Sequence, residues 1–159
     1  MTRVRRDRQP AEQSISVQDI INAARSNWVQ GDTVLGDVLI GTDLNETFDG
    51  CGGIDAIYGG AGDDVIIGGE EADYLSGGPG RDVFQFARDT RYGDHIEQFV
   101  KGEDIIQFCT DWIDMTWADV NIRQRGDHAV ITVDDTNIRI IIDDVIGQGR
   151  LDASDFYLG

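Results

Sequence analysis

Acidic side chains recur every nine residues through the first half of this 159-residue chain. They are Asp37, Glu46, Asp55, Asp64, Asp73 and Asp82. Carboxylate oxygens are the ligands that hard divalent cations prefer, and a constant spacing places them at equivalent points of a repeating structure. A large apolar residue follows each acid two positions later, namely Leu39, Phe48, Ile57, Ile66, Leu75 and Phe84. The acids are therefore candidate metal ligands, and the apolar residues predict the core that holds them in place.

The nine-residue unit that carries both residues divides into a turn and a short strand. Five copies run end to end over residues 41–85, after a partial copy at 36–40, and read GTDLNETFD, GCGGIDAIY, GGAGDDVII, GGEEADYLS and GGPGRDVFQ. Glycine near positions one, two and four predicts a tight turn with positive φ. The last three residues of a unit are β-formers around one apolar side chain. Two units would complete one coil of a flattened solenoid.

In such a solenoid, acids eighteen residues apart face each other. Stacked parallel strands lie about 4.8 Å apart. The expected pairs are Asp37 with Asp55, Asp55 with Asp73, Glu46 with Asp64, and Asp64 with Asp82. Two carboxylates at that distance repel by about 3 kcal/mol at an effective dielectric near 20. Residues 31–85 hold twelve acids and one base, Arg81. A dication removes the repulsion, and calcium tolerates irregular oxygen coordination better than magnesium. The sequence predicts calcium, in up to four sites.

Turn carbonyl groups are expected to supply the remaining ligands. The turn positions are Gly41, Asp43, Gly50, Gly52, Gly59, Ala61, Asp63, Gly68, Glu70, Gly77 and Pro79. Cys51 and Glu71 occupy glycine positions, and Glu46 stands where the other complete units have Asp. A side chain at positive φ costs about 1 kcal/mol, so weaker sites are expected at turns 50–55 and 68–73. Two simpler interpretations, a disordered acidic segment and a solenoid with merely solvated acids, remain as alternatives.

The repeat resembles the nonapeptide calcium-binding repeat of RTX (repeats-in-toxin) proteins. The resemblance implies an all-β fold, a parallel β-roll (β-solenoid) of about three coils. Residues 81–108 are similar to the segment after the repeats in RTX proteases and alginate epimerase R-modules. There, aspartates add a terminal calcium site, and Asp94 and Asp104 hold those positions here; solvated turn acids are the alternative. Residues 151–159, an acid followed by apolar residues, resemble the uncleaved type I secretion signal of RTX proteins.

Composition restricts the partners. The net charge of −17 disfavours nucleic acid and anionic membranes, which would repel the chain. No apolar run is long enough for membrane insertion, and the first fifteen residues lack the apolar core of a signal peptide. Cys51 and Cys109 form no disulfide framework, and His95 and His128 are interpreted as ordinary polar residues. Catalytic motifs and zinc-ligand clusters are absent, so the sequence predicts a binding module and not an enzyme.

Four segments are expected. Residues 1–15 would be a disordered basic arm, 16–30 an amphipathic helix that caps the first coil, 31–86 the calcium-binding roll, and 87–159 a β-rich C-terminal cap. In the capping helix Ser16 is the expected N-cap, and a partner-binding helix is the alternative. In the C-terminal cap, an antiparallel β section, two strand pairs are expected: 94–99 with 103–108 through a turn at 101–102, and 128–133 with 137–142.

These features predict a secreted, extracellular module that calcium folds after export by a type I exporter. A polysaccharide-binding accessory module, like the alginate epimerase R-modules, is one alternative. The arginines available for an acidic polysaccharide are Arg88, Arg91, Arg123, Arg125 and Arg139, with Trp112 and Trp117 as stacking candidates. A surface or adhesive module is the other alternative.

Overall fold

The computed structural model describes residues 27–31, 35–87, 93–109 and 115–159. Fifteen short strands form nearly all of its regular structure. They are β1 (Trp28–Gln30), β2 (Val38–Ile40), β3 (Thr47–Asp49), β4 (Ala56–Tyr58), β5 (Val65–Ile67), β6 (Tyr74–Ser76), β7 (Val83–Phe86), β8 (Asp94–Glu97), β9 (Phe99–Val100), β10 (Ile105–Phe108), β11 (Val120–Arg125), β12 (His128–Val133), β13 (Arg139–Ile142), β14 (Val145–Ile146) and β15 (Phe156–Leu158).

Successive strands of the repeats alternate between two parallel sheets. The first sheet has the order β1-β3-β5-β7-β10-β15, and the second β11-β12-β13-β8-β6-β4-β2. Thr47 pairs with Val65, which pairs with Val83, and on the second sheet Ala56 pairs with Tyr74. Equivalent residues of neighbouring coils therefore stack, and the predicted solenoid of about three turns and its stacking register are confirmed.

The apolar residue of each complete unit lies in the core between the two sheets. These residues are Phe48, Ile57, Ile66, Leu75 and Phe84, each at most 1% exposed. In β4 and β6 the central side chain alone is buried, whereas β3 and β5 also bury the side chain before it, Thr47 or Val65. The core continues beyond the repeats through Ile96, Phe99 and Ile106. One continuous core thus runs through the stack and fixes the phase of the turns.

Parallel stacking extends past the repeats, beyond the range 31–86 that the sequence predicted for the roll. Strand β8 pairs with β6 and β10 pairs with β7, both in parallel. Farther along the chain, β13 adds to β8 and β15 adds to β10, again in parallel. The C-terminal region is therefore largely a continuation of the solenoid with longer connections between its strands.

One predicted strand pair in this region is wrong and the other is confirmed. The expected hairpin of 94–99 with 103–108 does not form, because β8 and β10 lie in different sheets. The second pair is present, since β12 and β13 are antiparallel. Strand β11, which the sequence analysis missed, pairs antiparallel with β12 along its full length. The antiparallel section is thus a three-stranded extension of the second sheet.

The predicted capping helix over residues 16–30 is wrong at its C-terminal end. Trp28–Gln30 form β1, which pairs with β3 and adds half a coil that the sequence did not suggest. The rest of that helix and the basic arm 1–15 lie outside the described residues. Within the described part of the chain the helices are two short 3-10 turns, Trp117–Asp119 and Ala153–Asp155, and neither could cross a bilayer.

Candidate metal centre

The repeated acids form two ladders, one along each edge of the roll. In each ladder a backbone N–H donates to the Oδ1 atom of the acid one coil later. The N–H of Glu46 donates to Asp64 (2.8 Å), and that of Asp64 donates to Asp82 (3.0 Å). On the opposite edge the N–H of Asp37 donates to Asp55 (2.7 Å), and that of Asp55 to Asp73 (2.8 Å). All four predicted pairs are therefore brought together.

The second carboxylate oxygen of these aspartates has a different environment. The Oδ2 atoms of Asp64, Asp73, Asp82 and Asp94 are buried and accept no hydrogen bond. The four residues are completely buried. A buried carboxylate oxygen without a partner is costly, because it has lost its hydration without compensation. Each of these oxygens therefore requires either a proton or a cation.

The space beside the first glycine of a unit is walled by oxygen atoms. A Cβ atom placed on Gly59 would lie 2.5 Å from Asp64 Oδ2 and 2.7 Å from the carbonyl oxygen of Gly77. At Gly31 the corresponding neighbours are Asp37 Oδ2 (2.9 Å) and the Gly50 carbonyl (2.8 Å). An acid of one turn and a carbonyl of the next coil thus approach the same place. Because calcium takes mixed carboxylate and carbonyl ligands, these residues fit it.

Without a bound ion, burial favours the protonated form of the ladder aspartates. The pKa is raised to about 6 for Asp64, about 7 for Asp73 and about 8 for Asp82, chiefly by loss of hydration and in smaller part by the neighbouring acids. The same cause raises the pKa of Asp94 to about 6 and of Asp104 to about 7. A bound dication would supply the positive charge that lets these groups stay ionised at neutral pH.

In the four units over residues 50–85, positive φ angles at the second and fourth positions give the turns their shape. Gly60 and Gly62 have φ of 101° and 122°. Cys51 and Glu71 hold equivalent positions with φ of 71° and 78°. Both were identified from the sequence as departures from glycine, and both adopt the left-handed conformation that the turn requires. The strain therefore falls at turns 50–55 and 68–73.

The acids differ in how much of their capacity the protein already uses. Glu46 Oε2 accepts from the backbone N–H (2.6 Å) and the hydroxyl (3.1 Å) of Thr42 in its own turn. Asp94 and Asp104 extend the two ladders, since they accept from Asp73 and Asp82, each at 3.1 Å. Asp104 also accepts from Val100 N–H (2.7 Å) through its other oxygen. Asp104 and Glu46 therefore have less capacity for an ion than Asp94.

A further ladder, at position five of the units, was missed by the sequence analysis. The N–H of Asp63 donates to Asn45 Oδ1 (2.9 Å), and that of Arg81 donates to Asp63 Oδ1 (3.0 Å). The signal was present as polar residues at eighteen-residue intervals. Among the described residues no three His, Cys, Asp or Glu side chains converge on one point. An ion on the ladders would therefore take many of its ligands from the turn carbonyls.

A basic surface lies apart from the ladders, on the antiparallel extension. It borders a cavity of about 660 Å³ lined by Arg123, Gln124, Arg125, His128, Val130, Thr132 and Arg139. Three of the five arginines proposed from the sequence thus meet at one surface. Arg88, Arg91 and Trp112 lie outside the described residues. Trp117 packs against Phe156, with ring centroids 5.2 Å apart.

Comparison with known proteins agrees with the geometry of the turns. The RTX calcium-binding nonapeptide repeat (4 copies) matches residues 40–75 and 49–84. Residues 40–84 therefore match RTX calcium-binding repeats, and the resemblance seen in the sequence is confirmed. This family is a calcium-binding repeat and not an enzyme family. No curated protein matches the sequence.

Two similar solved structures come from the Azotobacter vinelandii mannuronan C5-epimerase. Its AlgE6R3 subunit has 25% identity and a TM-score of 0.55, covering 77% of this chain and 87% of that one. Its AlgE6R2 subunit has 22% identity and a TM-score of 0.63, covering 86% and 96% respectively. The all-β solenoid is thus shared with R-module subunits of an epimerase, as the sequence suggested.

Proposed function

We propose that this chain is a non-enzymatic module that calcium folds outside the cell, after export through a type I exporter. The observation that supports it most directly is the set of buried Oδ2 atoms at Asp64, Asp73 and Asp82, which accept no hydrogen bond. At neutral pH these groups oppose folding unless a cation neutralises them. Calcium is scarce inside cells and abundant outside, so export would supply the ion that completes the fold.

The energy available from calcium is large enough to control folding. Extracellular modules bind calcium with dissociation constants of about 10⁻⁴–10⁻³ M. At ten times the dissociation constant each site contributes about 1.4 kcal/mol. Four sites then contribute about 5–6 kcal/mol, which is comparable with the whole stability of an ordinary domain. Calcium can therefore decide whether this module is folded.

Circular dichroism tests the calcium dependence. We expect little β-structure with chelator, little recovery with magnesium at about 5 mM, and a full β-spectrum with calcium at a similar concentration. Asp64→Asn should shift the calcium midpoint upward. Asp127→Asn, which removes an exposed turn acid on the antiparallel extension, is the matched control and should leave the midpoint unchanged. Identical spectra under all three conditions would contradict the proposal.

Export is tested separately from folding. We propose that residues 155–159 are needed for recognition by the exporter and remain on the mature protein. Deleting them in a host with a matching exporter should retain the chain inside the cell. Asp64→Asn, which weakens a calcium turn and keeps the tail, should still be exported. Export of the truncated chain would show that the signal lies elsewhere.

A second candidate function, binding of an acidic polysaccharide, is supported by the basic surface of the antiparallel extension. Arg123, Arg125 and Arg139 line one cavity in a chain whose net charge is −17. Arginine suits carboxylate recognition, because its planar guanidinium group donates two parallel hydrogen bonds. The R-module fold of the epimerase subunits is consistent with this function. A surface or adhesive module, the remaining alternative, has no supporting observation among the described residues.

Calorimetry of the calcium-loaded protein with oligouronates tests polysaccharide binding. We expect binding that weakens with added salt and with Arg123→Ala combined with Arg125→Ala. Arg150→Ala, which removes an exposed arginine outside the cavity, is the control for general charge. Absence of heat with acidic and neutral oligosaccharides would leave calcium-driven folding as the only function proposed.

A further inference from the structure

Three buried side chains of the first sheet lie on the face that points away from the core. In β3, β5 and β7 the second residue of the strand packs between the two sheets. The residue before it points the opposite way, because neighbouring side chains of a strand alternate between faces. These outward-facing residues are Thr47, Val65 and Val83, and only 3%, 2% and 0% of their surfaces are exposed. Neither valine belongs to the core cluster, so something outside the sheet covers them.

The three side chains form one continuous row across the first sheet, the outer row. Thr47 pairs with Val65, and Val65 pairs with Val83, so three successive coils each contribute one member. Thr47 Oγ1 is buried and makes no hydrogen bond. A hydroxyl group at an open surface would be hydrated, so its burial shows that water does not reach this end of the row. The outer row is therefore a dry and largely apolar strip.

The corresponding row of the second sheet is open to solvent. Its members are Val38, Ala56 and Tyr74, which also precede the central residue of their strands and pair with one another. Tyr74 is 50% exposed although its strand lies between β4 and β8. Stacking on neighbouring coils therefore does not bury this position by itself. The outer row of the first sheet has a cover that the second sheet lacks.

The position of the chain before β1 identifies a candidate for this cover. In the described part of the chain, the strands outside the two large sheets are β9 and β14, and their Phe99 and Val145 pack into the core. The chain enters the first sheet at Asn27. Its carbonyl oxygen accepts from Thr47 N–H (2.8 Å), and its side-chain amide donates to the carbonyl of Asn45 (2.8 Å). The segment before β1 therefore joins the sheet beside the first member of the outer row.

The sequence of that segment suits an apolar surface of this length. Four of its apolar residues are spaced as on one face of a helix, namely Val17, Ile20, Ile21 and Ala24. Eleven helical residues span about 16 Å, and the distance across the sheet from β1 to β7 is about 14 Å. Residues 110–114 also carry apolar side chains, but they follow the opposite end of the parallel strands, after β10.

We propose that residues 16–26 pack as a helix on the outer row and form a third layer over the calcium-binding repeats. The apolar side of the helix covers Thr47, Val65 and Val83. This arrangement differs from the cap over the first coil that the sequence predicted, because the helix crosses several coils. Three coils must be stacked before the outer row exists, so docking of this segment is coupled to folding of the roll.

Nuclear Overhauser contacts between methyl groups, measured on the full chain in saturating calcium, are the direct test. We expect contacts from Ile20 or Ile21 to Val65 and Val83. A mixed sample of labelled and unlabelled chains, which reports contacts between two copies, should show none of them. These measurements need no substitution and therefore do not depend on how a variant folds.

Substitutions in the segment measure what the cover contributes. Ile20→Ser combined with Ile21→Ser should lower the melting temperature by about 5 °C or more, because two buried apolar side chains are lost. The same variant should bind an apolar dye at the uncovered outer row. Gln18→Ser combined with Asn22→Ser, on the other side of the same helix, is the matched control and should change neither property.

Three results would overturn the inference. Methyl contacts of Val65 and Val83 with Trp112 or Ile113 would assign the cover to residues 110–114. Contacts found only between two copies would assign it to a dimer. Equal melting temperatures of the two double variants would show that the apolar side of the segment faces solvent. If the isoleucine variant does not fold, the methyl contacts of the original chain decide alone.

Discussion

Each stacked aspartate divides its carboxylate between two roles. One oxygen accepts the N–H of the preceding coil, and in Asp64, Asp73 and Asp82 the other accepts no hydrogen bond. The first oxygen contributes to stacking whether or not calcium is present. The second contributes only when a cation is bound. Substitutions that preserve the first role and remove the charge therefore separate folding geometry from ion binding.

Asp64→Asn should raise the calcium midpoint more than Glu46→Gln. Asp64 faces acids on both neighbouring coils and keeps a buried oxygen without a hydrogen bond, whereas Glu46 is already bound by Thr42 in its own turn. Calcium titrations followed by circular dichroism give both midpoints. Equal shifts, or a larger shift for Glu46→Gln, would argue against the assignment of ligands to the ladder.

Without calcium, the chain should be more stable in mild acid than in mild alkali. Folding raises the pKa of Asp73 to about 7 and of Asp82 to about 8, well above the ordinary pKa of an aspartate, chiefly because burial removes their hydration. A group whose pKa rises on folding stabilises the fold below its unfolded pKa, and this stabilisation is lost as the pH rises through the folded value.

Thermal melts of the calcium-free chain at about pH 5 and about pH 8.5 measure this loss of stability, which follows from the linkage of protonation to folding. Calcium added at the higher pH should restore the melting temperature, because the ion replaces the protons. If the stability of the calcium-free chain stays constant or increases as the pH rises over this pH range, the raised pKa values are contradicted. Calcium binding near neutral pH should also release protons into weakly buffered solution.

At the scale of elements, positive φ in the repeats is found in the turns, whereas the buried apolar side chains lie on the strands. Glu71→Gly should stabilise the protein by about 1 kcal/mol, because it removes a side chain from positive φ. It also removes a charge that raises the pKa of Asp73. Glu70→Gly loses the same charge at a neighbouring residue whose φ is not positive, and should be neutral or destabilising. Chemical denaturation in saturating calcium compares the two, and a gain from Glu70→Gly alone would reverse the argument.

The sequence predicted those elements whose information is periodic. The phase of Asp64 and Ile66 within their unit is repeated in every neighbour, so the stacking register followed directly. The turn at 101–102 looked like a hairpin, because a local turn does not reveal which sheet each flanking strand joins. Ile96 and Ile106 both point into the common core, and that burial outweighs direct pairing of the two strands. Long-range contacts such as His95 with Asp143 have no periodic signal at all.

For the whole molecule, net charge opposes the compact state. Residues 31–85 hold twelve acids and one base. Without calcium, these acidic side chains repel one another at neutral pH. The radius of gyration of the calcium-free chain should approach the unfolded value of about 42 Å for this length, and calcium should reduce it towards about 15 Å. Small-angle X-ray scattering measures both states. If the radius of gyration at neutral pH is the same without calcium as with it, packing alone overcomes the repulsion.

The unequal length of the coils has a consequence for how the protein could be altered. Within the repeats, hydrogen-bonded partners are 18 residues apart, and after them 21 and then 22. The solenoid tolerates these insertions because each coil contacts only its neighbouring coils. Length is therefore an adjustable property of this architecture. Residues 50–67 are two repeat units, which make one coil. Duplicating them should therefore lengthen the roll by one coil, about 4.8 Å, and leave both of its ends unchanged.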